Sequence, residues 1–140
     1  MTRPAASTPA DTVIYAIGDV HGRSDLLELL TARIVEDAAG RRASKRLLVC
    51  LGDYVSRGTG SRRVIEMLLA PPPAGFERVT LRGNHEDYVL RFLDGDLDAG
   101  RRWFLWGGLA VLPDYDIEIG ARDWHADATL ADVRRHLADK

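Results

Sequence analysis

The chain has 140 residues, the length of one ordinary domain. A formal net charge of −2 argues against bulk nucleic acid or an anionic membrane surface as partner. One cysteine, Cys50, excludes an internal disulfide, and no run approaches the roughly 20 apolar residues of a membrane span, so the expected setting is the cytoplasm.

Residues 1–11 carry Pro4, Pro9 and several small residues without a leader pattern, and are expected to form a disordered tail before one domain over 12–140. Val13 to Ile17 is short, apolar and β-branched, as a strand buried on both faces would be. After the loop Gly18 to Gly22, Ser24 is placed to cap a helix that carries Leu27, Leu30, Ile34 and Ala38 on one side. Arg46 to Leu51 reads as a second buried strand, followed by a loop around Asp53. Ser61 then caps a helix with Val64, Ile65 and Leu68, which Pro71 to Pro73 must stop. Arg78 to Leu81 is the third strand, and a helix near Glu86 follows it. Trp103 and Trp106 lie on a further helical stretch that Gly107 and Gly108 break, and both indoles are expected to pack. The stripe Leu130, Val133 and Leu137 marks a terminal helix with nothing after it to bury it.

Strand, loop and helix three times over imply a mostly parallel α/β sheet. Asp19, Asp53 and His85 recur at 34 and 32 residues, near the length of a βαβ unit, so the three loops share one sheet edge. Asp19, His21, Asp53, Asn84 and His85 then form a mixed carboxylate, imidazole and amide set. Such donors suit manganese, with iron or zinc as alternatives. Two ions near 3.5–4 Å apart need a bridging ligand, and Asp53, central among the loops, is expected to supply it. Arg57 on the same loop offers a planar fork to phosphoryl oxygens.

Gly18-Asp19-Val20-His21-Gly22, Gly52-Asp53-Tyr54-Val55-Ser56-Arg57-Gly58 and Gly83-Asn84-His85-Glu86 resemble the three leading motifs of the calcineurin-like metallophosphoesterases. The likeness is strongest to the phosphoprotein phosphatase branch, which includes serine/threonine phosphatases and symmetric diadenosine tetraphosphatases. It implies the βαβαβα half of an α/β/β/α sandwich, with the C-terminal half-sheet missing. It implies phosphomonoester hydrolysis by a metal-bridging hydroxide, first on phosphoprotein, alternatively on diadenosine tetraphosphate. Asp19 and His21 match ligands of the first of two divalent ions, Asp53 the bridge, and Asn84 a ligand of the second. Arg57 and Asn84 match phosphate-binding residues, and His85 the acid that protonates the leaving group.

Two departures stand out. The family usually has an aspartate where this chain has Ser56, which implies weaker acid catalysis at His85 and favours leaving groups that need little protonation. The family also has two later histidines, whereas His125 and His136 here lack a strand-end setting, so an inactive metal-binding fragment is a third reading. A half-sandwich should expose apolar surface through which copies could self-associate.

Overall fold

The computed structural model describes residues 7–120 and 122–140, so the tail expected over 1–11 lies largely outside the described residues. Three strands, β1 (Thr12–Ile17), β2 (Lys45–Cys50) and β3 (Glu77–Thr80), pair in parallel in the order β1-β2-β3. Between them run α1 (Ser24–Ala39) and α2 (Ser61–Leu69); α3 (Asn84–Leu93) follows β3. The chain continues through α4 (Leu97–Leu105), a 3₁₀ segment (Gly108–Tyr115) and α5 (Asp127–Ala138). No described helix is long and apolar enough to cross a membrane.

Side chains alternate across a sheet with period two, and the register sorts them cleanly. Tyr15 and Ile17 of β1 pair with Leu48 and Cys50 of β2, and this face joins Leu27, Ile34 and Ala38 of α1 and Val64 of α2 in the core. Ile14, Val49 and Val79 point the other way, and Ile14 and Val79 are 39% and 41% exposed. The expectation of strands buried on both faces is therefore corrected. The helices between the strands cover one face only, and the other is the expected exposed apolar surface.

Two expected caps are also corrected. Arg23 and Gly60 occupy the N-cap positions, and neither helix has a side-chain cap. Ser61 instead turns its hydroxyl to the backbone N–H of Ser56, 3.1 Å away. At the other end of α2, Arg78 on β3 donates to the carbonyls of Met67, Leu68 and Ala70, satisfying acceptors that a helix end leaves open.

The last third of the chain packs as a helical layer. Phe92, Trp103 and Leu130 are completely buried, and the Phe92 ring lies 6.0 Å from that of Trp103 and 5.7 Å from that of Phe104. Two of the three stripe residues on α5 are buried after all, because α3 and α4 receive them: Leu130 and Val133 are as inaccessible as any residue in the core, and Leu137 is half-buried. Gly107, at φ +101°, ends α4 in the left-handed region.

Candidate metal centre and phosphate site

The three strand ends are tied to one another by backbone. The N–H groups of Val20 and His21 both donate to the Asp53 carbonyl, at 3.0 and 2.9 Å, and Gly22 N–H donates to the Tyr54 carbonyl at 2.8 Å. Gly58 N–H reaches back to the His21 carbonyl at 3.0 Å. His21, Asp53, Ser56 and Arg57 all hold positive φ, between +46° and +78°. Left-handed backbone at non-glycine residues costs about 1–3 kcal/mol each. Of six such residues among those described, four are in these two loops, so strain is concentrated where the predicted ligands lie.

Glu86 joins the third loop to the second. Its carboxylate accepts from the N–H groups of Asp53 (2.7 Å), Tyr54 (2.8 Å), Val55 (3.3 Å) and Gly83 (2.9 Å). Asp53 answers by accepting the His85 N–H on Oδ1 at 3.0 Å. The sequence marks Glu86 as a motif residue and a helix start, without a role in holding the loops. Its position at the third residue of α3, where a carboxylate reaches back to the N-cap N–H, was the available signal.

The approach of the two loops depends on Gly83. A Cβ there would stand 2.2 Å from Asp53 Oδ1 and 2.4 Å from Asp53 N. Gly83→Ala is accordingly expected to cost about 1–3 kcal/mol and to weaken divalent-ion binding along with stability. Parallel denaturation and metal titrations check this, and an unchanged metal affinity would count against the tight contact.

The polar atoms left over define the centre. His21 Nδ1 lies 3.1 Å from the Val55 carbonyl, which can only accept, so Nδ1 carries the proton and Nε2 a bare lone pair. Nε2 is buried and without a hydrogen-bond partner, and the Asp19 carboxylate lies 3.5 Å from it. With Nε2 as acceptor, the two groups face each other in a way that a cation between them satisfies. His85 is 1% exposed, and its Nδ1 is likewise buried without a partner. One ligand atom each from His21, Asp53 and His85 falls within 4.8 Å of the others. Orphaned imidazole nitrogens beside carboxylates fit divalent ions.

Asp19 stands at the rim, 65% exposed at its side chain, and Asn84 opens α3 in an exposed position. Arg57 is exposed, its N–H bonded to the Gly107 carbonyl at 2.9 Å. Arg23 pairs with Asp25 at 2.6 Å, as a surface ion pair. His125 and His136 are exposed and do not belong to the cluster.

Ser56 is fully buried and makes no hydrogen bond to His85; its hydroxyl accepts from the Trp103 indole N–H at 2.8 Å. Trp103 is thus both a core residue and a strut under the Asp53 loop. No carboxylate is bonded to the His85 ring among the described residues. Burial pushes the His85 pKa below its ordinary value, and the nearby Asp53 carboxylate only partly opposes this.

A parallel α/β sheet with two imidazoles, the Asp53 and Asp19 carboxylates and an arginine at its strand ends is an arrangement suited to a divalent ion and a phosphoryl group. The chain belongs to the calcineurin-like phosphoesterase family, which it matches over residues 12–135 and which uses divalent metals. It is 36% identical over 81 residues to a symmetrical bis(5'-nucleosyl)-tetraphosphatase of Dechloromonas aromatica (strain RCB), covering 58% of this chain and 26% of that one. A protein of the same description from Acidovorax sp. (strain JS42) is 33% identical over 103 residues, covering 74% of this chain and 34% of its own length. The chain spans about a quarter to a third of these relatives. Among solved structures, a cold-active protein tyrosine phosphatase is 29% identical, with a TM-score of 0.42 over 73% of this chain and 35% of that one.

Proposed function

We propose that this chain hydrolyses a dinucleoside polyphosphate, with Asp19, His21, Asp53 and Asn84 holding two divalent ions, manganese first among them. The observation that carries the metal reading is the bare, buried Nε2 of His21 facing the Asp19 carboxylate. Ions bound there supply a nucleophile at neutral pH and neutralise charge on the phosphoryl group. The chain's own groups do the remainder. Arg57, exposed beside the cluster, grips phosphoryl oxygens through its fork of donors, and Asn84 adds an amide donor from the start of α3. His85 is the general acid toward the leaving oxygen. Its backbone is fixed by the Asp53 carboxylate.

The environment of His85 supports one substrate class over the other. With Ser56 bonded to Trp103, no carboxylate is hydrogen-bonded to the His85 ring, and burial outweighs the nearby Asp53 charge in disfavouring its protonated form. An acid that is seldom protonated suffices for a phosphoanhydride, whose leaving group departs as a stable anion. It serves a serine alkoxide poorly. The named relatives agree with the anhydride, and the serine/threonine phosphatase reading is the less supported of the two.

The deciding experiment compares diadenosine tetraphosphate with a phosphoserine peptide on the manganese-loaded chain. General acid catalysis is worth 10²–10⁴-fold, so kcat/KM should favour the anhydride by about 100-fold or more. Equal or faster cleavage of the peptide would sink the proposed substrate class.

A further inference from the structure

The two tryptophans of α4 and its cap have opposite fates. Trp103 is completely buried, whereas Trp106, three residues on, is 47% exposed. Single exposed apolar residues are common and need no explanation by themselves. Trp106 differs in being fixed and in where it is fixed. Its ring meets Tyr88 edge to face, at 5.0 Å and 89°, and lies 6.5 Å from the ring of His85. The next residue, Gly107, accepts the Arg57 N–H, and a Cβ on Gly107 would stand 2.8 Å from Arg57 Cγ. The arginine stem therefore lies on the backbone that carries the indole. The proposed acid, the phosphate-gripping arginine and a half-bare indole form one corner of the molecule.

Resting on the dinucleoside polyphosphate reading above, we propose that Trp106 is a specificity-determining residue that stacks on a nucleobase of the substrate. Base–aromatic stacking tolerates any base and is worth about tenfold or more in binding. An indole held by Tyr88 loses little freedom when a base covers it. A phosphate chain is flexible at each bridging oxygen, so a base can fold back beside a phosphate held by Arg57.

The test uses the full chain and two variants. In Trp106→Ala, the ratio of kcat/KM for diadenosine tetraphosphate to that for tripolyphosphate, which has no ring, should fall about tenfold. Trp106→Phe keeps an aromatic face and should retain most of the ratio. An unchanged ratio in Trp106→Ala overturns the proposal, as does a fall that Phe does not reverse. So does an equally large fall for p-nitrophenyl phosphate, which would assign the indole to aryl rings at large. Titration calorimetry decides the matter even if no phosphoester is turned over and the proposed activity fails. Trp106→Ala should then weaken adenosine diphosphate about tenfold more than it weakens pyrophosphate, and equal weakening of both overturns the stacking role.

Discussion

Replacing Glu86 by alanine is expected to cost about 3–5 kcal/mol of folding stability and to open the Asp53 loop. Four backbone N–H groups lose their acceptor at once. A hydrogen bond to a charged group contributes about 1.5–3 kcal/mol, and a buried donor left without a partner costs about 1–3. Solvent reaches part of the site, so the four do not add in full. Even so, the loss is a large share of the 5–15 kcal/mol that holds an ordinary domain together. Glu86→Gln keeps one acceptor oxygen and should fall between alanine and the parent. Urea denaturation of the three proteins measures the series. A Glu86→Ala loss below about 1 kcal/mol would mean that the carboxylate is not what holds the loops.

Asp53→Asn is expected to remove turnover almost completely while leaving the fold intact. Asparagine tolerates the left-handed backbone at this position and still presents an oxygen to the His85 N–H. What it lacks is the charge that a bridging ligand contributes. Losing an outer partner of a metal ligand costs about 10–100-fold, so the loss here should exceed 100-fold in kcat/KM. Metal analysis should show fewer than two ions per chain. A variant that keeps its ions and its rate would reassign the bridge.

The parts of this structure legible in the sequence are those with a local signature. Apolar runs of four to six residues, helical stripes and the prolines after Leu69 located the three strands and five α-helices to within a few residues, but not the 3₁₀ segment Gly108–Tyr115. The spacing of Asp19, Asp53 and His85 placed three loops at one sheet edge, and their residues do converge. The legible part ended where partners are distant in the chain. Nothing in Ser56 or Trp103 alone announces a hydrogen bond across 47 positions. Likewise, the stripe on α5 looked stranded because a periodic pattern says which face is apolar, not which element covers it. The open sheet face was misread for a related reason. A short apolar run looks the same whether one face or both are covered.

The ties among the loops also set an order of events during folding. Each site contact spans a whole crossover: Val20 to Asp53, Asp53 to Glu86, Ser56 to Trp103. Such contacts need chain closure first, as the strand pairings themselves do, so the order in which segments emerge decides the sequence of events. On a ribosome, β1 and β2 can pair while the Asp53 loop still lacks its acceptor. Only when Glu86 has emerged can the left-handed turns at Asp53 and Ser56 be held, and only with Trp103 is Ser56 fixed from beneath. The strand-end edge is therefore the last part of the sheet to mature, and a nascent chain acquires structure well before it completes the proposed metal centre.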